Sequence, residues 1–286
     1  VPDSGAVYEA RVLRWRDPCD WPLPGSTATA SVAVLDCRFT VPQLGRERRV
    51  WLYLPPGYDS TDRRYPVLYM LDGQNVFDAS TSFAGEWRVD ETCEALIADG
   101  TIRPLIVVAL DNGGADRVYE YTPSTDPRRG IGGGAVEHFA AIVDVLMPWV
   151  ESNYRVRTGP SHTGFSGSSL GGLMSLWAAL HHADPFGRIG ALSPSLWWDD
   201  RMILDEVDAR PRPDVRLWVD MGTSEGGPIQ DGQAYVDDLN DLRDRLIAKG
   251  FVEGEDLRVV VDQGGAHDEA TWSQRFPAVL EFLFPP

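Results

Sequence analysis

No apolar run in this 286-residue chain approaches the roughly 20 residues that span a bilayer. The longest candidates, "VLYML" and "PLIVVAL", are strand-sized. Positive charge is also short, with 26 basic residues against 43 acidic ones and a formal charge of −17. A field of that sign repels phosphate backbones and anionic lipid, so neither nucleic acid nor a membrane surface is expected as a partner. Cysteine is scarce: three residues without tight spacing make neither a disulfide framework nor a zinc site. Cys93 falls on the apolar face of "VDETCEALIADG" and reads as a buried thiol. Cys19 and Cys37 could pair across an N-terminal loop, but unlinked thiols are the expectation. No charged-then-apolar leader follows Val1, and the cytoplasm is the expected compartment. Internal repeats and low-complexity linkers are absent too, so one domain is expected.

What is present alternates. Residues 1 to about 30 are irregular: "YEARVLRW" has strand character, and "DPCDWPLPGSTATA" breaks it with proline and glycine. "SVAVLDCRF" and "RRVWLYLP" follow as antiparallel neighbours at a sheet edge. Beyond them, short apolar strands ("YPVLYML", "PLIVVAL", "HTGFSGS", "RIGALS", "VRLWVDM", "LRVVVDQ") alternate with helical segments. The helices are "WRVDETCEALIADG", "AVEHFAAIVDVLMPWVESNY", "LGGLMSLWAALHH", "GQAYVDDLNDLRDRLIAKG" and "DEATWSQRFPAVLEFLF". This order predicts an α/β fold with a mainly parallel sheet, antiparallel N-terminal strands and helices on both faces. Residues 1–46 read as an N-terminal extension with edge strands, and 47–286 as the main body. "DNGGAD" lacks the later ligands of a calcium loop and reads as a turn.

The run "GSSLGG" stands where a strand gives way to a helix. Gly167, Ser168, Ser169, Leu170 and Gly171 spell G-x-S-x-G in the strand–turn–helix context that gives the motif its chemistry. The sharp turn crowds its flanks, which predicts glycine at 167 and 171, with Gly172 easing helix–strand contact. A plain glycine–serine turn would match the five letters as well; its placement between strand and helix favours Ser169 as a nucleophile. Ser166 and Ser168 lack glycine at both flanking offsets.

A serine hydroxyl needs a base. His181 and His182 lie 12 and 13 residues along the nucleophile's own helix, roughly 18 Å away at 1.5 Å per residue. His162 precedes the serine strand, and His138 lies early in a helix, suited to solvent or a cap. His267 alone follows the last strand, in "DQGGAHDEATW", where Gly264 and Gly265 free the backbone. The chain order serine, acid, histidine places the acid in "GTSEGGP", at Glu225; Asp220 and Asp262 fall inside strands. Glu225 as a plain loop carboxylate stays an alternative. For an oxyanion hole, one amide is expected from Leu170 and another from Gln74 in "DGQN".

These residues resemble the putative-esterase family of α/β-hydrolases, which includes siderophore esterases, feruloyl esterase modules, S-formylglutathione hydrolases and mycolyltransferases. The resemblance runs from about residue 47 to the end. It is carried by "YPVLYMLDGQNVFD", "RVYEYTP", "YRVRTGP", "GSSLGGLMSL", "SPSLWWDD", "GTSEG" and "GGAHDEATWSQRFPAVLEFLF". It implies Ser169 as nucleophile, Glu225 as acid, His267 as base and the amides of Gln74 and Leu170 as the oxyanion hole. Ser168 stands where the formylglutathione branch usually has histidine, and the mycolyltransferase elbow lacks the Gly171–Gly172 pair. Trp197 and Trp198 are expected to wall the crevice, with Tyr121 and Arg117, although core packing suits both tryptophans equally. The expected activity is cofactor-free and metal-free hydrolysis of a small-molecule carboxylic ester through an acyl-enzyme, on aromatic-acid, carbohydrate or siderophore esters. Acyl transfer to another alcohol, or binding without catalysis, are the alternatives.

Overall fold

A computed structural model describes residues 21–83, 85–226 and 232–286. The expected strand in "YEARVLRW" and the end of the "GTSEGGP" loop lie outside these. Cys19 does too, and Cys37 is disulfide-bonded, which corrects the expectation of an unlinked thiol there. Cys93 is free and buried.

The chain runs through β1 (Val32–Val41), β2 (Arg46–Tyr53), β3 (Val67–Met70), α1 (Val89–Ala98), β4 (Ile106–Leu110) and α2 (Arg117–Tyr121). A small hairpin, β5 (Thr125–Asp126) and β6 (Ile131–Gly132), precedes α3 (Ala135–Ala141), α4 (Met147–Asn153), β7 (Thr163–Ser168) and α5 (Leu170–His181). The rest is β8 (Arg188–Leu192), α6 (Met202–Ala209), β9 (Arg216–Ser224), α7 (Gly232–Ala248), β10 (Leu257–Ala266) and α8 (Glu269–Leu283). Eight strands form one sheet in the order β1-β2-β4-β3-β7-β8-β9-β10. β1 and β2 pair antiparallel, as do β2 and β4, and every later pair is parallel.

The apolar strands read as continuous because both faces are covered. Val67, Tyr69 and Leu71 pack into the core under α3 to α7, while the alternate Leu68 and Met70 pack with Cys93 of α1 and Phe276 of α8. In β9, Leu217, Val219 and Met221 take the first face and Trp218 the second. Parallel pairing turns the carboxyl ends of β3, β7, β8, β9 and β10 to one edge, where ligand crevices form in such sheets.

One expected helix is interrupted. Between α3 and α4, Ile142–Leu146 widens into π-helical turns just before Pro148. Proline has no N–H for the i→i−4 ladder, and the wider turns absorb that loss. Among the described residues, no helix is long and apolar enough to cross a membrane.

Candidate active site

Ser169 sits between β7 and α5 with φ 58° and ψ −121°, a backbone state that costs a non-glycine residue on the order of 1–3 kcal/mol. Its neighbours fix that state. Ser169 N–H donates to the Leu192 carbonyl at 3.0 Å, and its carbonyl accepts from Leu173 and Ser195 amides, each at 3.0 Å. The side-chain Oγ lies 3.4 Å from Ser195 Oγ. Ser166 is fully buried.

The glycines around the serine are not equivalent. A Cβ on Gly167 would sit 2.8 Å from the Gly171 carbonyl carbon, and one on Gly172 2.9 Å from Leu192 O. A Cβ on Gly171 meets only ordinary contacts, at 3.4 Å or more. The expectation that both flanks need glycine is therefore corrected at 171: the crowding is one-sided. Gly167→Ala should cost about 1–3 kcal/mol through overpacking. Gly171→Ala, inside a helix, should be neutral or gain up to about 1 kcal/mol. Urea denaturation of the two variants checks this; equal losses would refute the asymmetry.

Two parallel strands carry the next pair of residues. β10 pairs with β9 in register up to Asp262↔Gly222, and then Ala266 pairs with Ser224. Four steps on β10 thus match two on β9, and the surplus forms a bulge that advances His267 over the sheet edge. Gly264 takes φ 80° there. Gly222 and Gly265 touch so closely that a Cβ on Gly222 would fall 2.1 Å from the Gly265 carbonyl oxygen. Across this seam, His267 Nδ1 hydrogen-bonds to Glu225 Oε2. The other oxygen, Oε1, accepts from Ser193 Oγ and from Gly222 N–H, both at 2.6 Å. Burial opposes the charge on Glu225, but the hydrogen bonds from His267, Ser193 and Gly222 outweigh it and hold the carboxyl below its usual range.

The other two acids point elsewhere. Asp220 is fully buried, accepts from Trp218 Nε1 at 2.7 Å and pairs with Arg275 Nη1 at 3.0 Å. Burial pushes it up to about 6 despite Arg275. Asp262 lies 3.7 Å from Arg275 Nε.

The loop after β3 forms the opposite wall. Asp72 adopts φ 57° and is gripped by Arg117 through Nε at 2.6 Å and Nη2 at 2.8 Å, and by Asn112 Nδ2 at 2.6 Å. Its N–H donates to Tyr121 Oη at 3.0 Å. Burial works against the charge on Arg117, and Asp72 more than reverses it, raising its pKa. Gly73 lies against the chain after β4, where a Cβ would be 2.8 Å from the Leu110 carbonyl carbon. Gln74 is held by its side-chain oxygen, which accepts from Asn112 N–H at 3.2 Å. Its own amide and that of Leu170, the first residue of α5, have no protein acceptor among the described residues.

Ser169, His267, Gln74 and Arg117 line one cleft of about 840 Å³, with Phe83 and Trp272 as its aromatic surfaces. The other expected wall residues fall elsewhere. Tyr121 is fully buried and acts from below through its bond to Asp72. Trp198 is buried too, its Nε1 donating to Ser124 O at 3.2 Å. Trp197 lines a separate depression of about 500 Å³ with Arg128, Arg129 and Tyr235. Trp198 follows the packing alternative, because the turn after "SPSL" folds back under β5 and β6, whereas Trp197 is exposed and belongs neither to the core nor to the cleft wall. His138 is fully buried, 3.6 Å from Glu120, rather than solvated. Among the described residues, the carboxylates close enough to share a cation are Glu86, Asp90 and Glu91, at the start of α1 and not among the residues lining the cleft.

A family model described as "Putative esterase" matches residues 42–283. The chain belongs to that family. It is a carboxylic ester hydrolase on an α/β-hydrolase fold. It is 27% identical over 243 residues to the uncharacterized protein YbbA of Bacillus subtilis, covering 83% of this chain and 92% of that one. It is 29% identical over 255 residues to the iron(III) enterobactin esterase of Dickeya dadantii, covering 85% of this chain; it spans only 52% of that protein. The siderophore hydrolase EstB of Aspergillus nidulans shares the fold with a TM-score of 0.70 at 21% identity, covering 89% of this chain and 96% of that one.

Proposed function

We propose that this esterase works through an acyl-enzyme, with Ser169 as nucleophile, His267 as general base and acid, and Glu225 as the carboxylate that orients the imidazole. The observation that carries this is the hydrogen bond from His267 Nδ1 to buried Glu225, on the cleft that Ser169 also lines. A carboxylate on Nδ1 keeps the proton there and leaves Nε2 free to take the serine proton. Attack of Ser169 Oγ on the ester carbonyl gives a tetrahedral oxyanion, received by the amides of Gln74 and Leu170. Collapse expels the alcohol, protonated by His267. Water, activated by the same imidazole, then releases the acid and restores Ser169.

Phe83 offers a face for an aromatic acyl group. Phe83 is 92% exposed. The names of the Dickeya and Aspergillus relatives support siderophore esters as the first substrates to try. Arg49, Asp111 and Asn112 make the cleft rim polar, which favours water over another alcohol as acceptor.

A fluorophosphonate probe tests the mechanism. One equivalent should abolish hydrolysis of a p-nitrophenyl ester, and peptide mapping should find the adduct on Ser169. An adduct on Ser166, Ser168 or Ser195, or full activity after labelling, would overturn the assignment.

A further inference from the structure

Ser193, the residue directly after β8, opens "SPSLWWDD", a stretch whose resemblance assigns it no role. Its side chain is buried at the centre of a polar knot. Trp272 Nε1 donates to its Oγ at 2.9 Å, and so does Arg275 Nη2 at 2.9 Å. A hydroxyl offers one proton and two lone pairs. Trp272 and Arg275 can only donate, so both lone pairs are taken. The single hydroxyl proton therefore has one destination, Glu225 Oε1 at 2.6 Å. Gly222 N–H reaches the same oxygen at 2.6 Å. With Oε1 facing two donors, a proton on that oxygen would have no acceptor. Only Oε2 remains for His267.

We propose, on the triad reading above, that Ser193 is a positioning residue. Its hydroxyl, locked by Trp272 and Arg275 as a donor to Oε1, stabilises the ionised carboxylate of Glu225 and so favours the proton of His267 on Nδ1. The backbone supports a role beyond packing. Ser193 has φ 41°, a conformation that glycine adopts with less strain. A position with only a structural duty would gain from glycine, which has no hydroxyl.

The test compares Ser193→Gly and Ser193→Ala in the full chain. Ser193→Gly should fold at least as stably as Ser193→Ala, since it escapes the left-handed strain. Both should nevertheless lose kcat equally, by about 10- to 100-fold, the range for a lost hydrogen bond to a charged group, with KM changed less than about twofold. Glu225 sits below its ordinary range partly through this donor. Losing it raises the carboxyl, so the acidic limb of kcat/KM should move to higher pH in both variants. Wild-type kcat and an unmoved limb in Ser193→Gly would overturn the proposal, and so would losses that track stability instead of the missing hydroxyl. Fluorophosphonate mapping on the wild type separates the two readings: an adduct on Ser169 with a fully active Ser193→Gly leaves the triad standing and removes only this inference.

Discussion

Ser169→Ala is expected to lower kcat/KM on a p-nitrophenyl ester by about 10⁴-fold or more, with a melting temperature close to that of the parent. Removing a nucleophile leaves only the acceleration from binding and oxyanion stabilisation. Stability should hold because Ser169 Oγ makes one long contact, 3.4 Å to Ser195. The costly backbone state is held by main-chain bonds to Leu192, Leu173 and Ser195, which alanine preserves. Ser195 is the hydroxyl best placed to substitute, but it is buried. Steady-state kinetics with a melting curve decide the matter. Activity within about tenfold of the parent would remove Ser169 as nucleophile.

The fold was legible where sequence period and burial agree. Strands covered on both faces show as apolar runs, and the closing helix shows its stripe at Trp272, Phe276, Val279, Leu280 and Leu283. The serine turn was legible because its crowding demands glycine, at 167 if not at 171. His267 emerged by elimination among five histidines. The bulge that carries it forward was not legible, since it exists only in the pairing of β10 against β9. Ser193 and Arg275 escaped because the resemblance carried by "SPSLWWDD" and "GGAHDEATWSQRFPAVLEFLF" assigns neither of them a role. A signal was available for Arg275: it falls on the apolar stripe of α8, three residues after Trp272, where a charge requires a buried partner. Its partners are Asp220, in the middle of β9, and Ser193, just past β8, a meeting that local sequence does not encode. Chemical type alone points Tyr121 and Trp198 to the crevice wall, and burial overrides it.

Glu225→Gln should cost about 10⁴-fold in kcat, the scale seen when a triad carboxylate becomes its amide. The surrounding donors explain why. Ser193 and Gly222 both direct protons at one oxygen of residue 225, so the glutamine carbonyl must face them and its NH₂ must face His267. An NH₂ donor turns Nδ1 into an acceptor and moves the imidazole proton to Nε2, the atom that has to accept from Ser169. The site would keep its shape and hold the wrong tautomer. Asp220→Asn and Asp262→Asn provide the contrast, because both carboxylates face Arg275 rather than His267 in this network. Asp220→Asn should lower stability by weakening a buried pair with Arg275, while either variant keeps kcat within about tenfold. Parallel kinetics and denaturation on the three variants read the ranking directly. If Asp220→Asn or Asp262→Asn proved slower than Glu225→Gln, the orienting carboxylate would have to be reassigned.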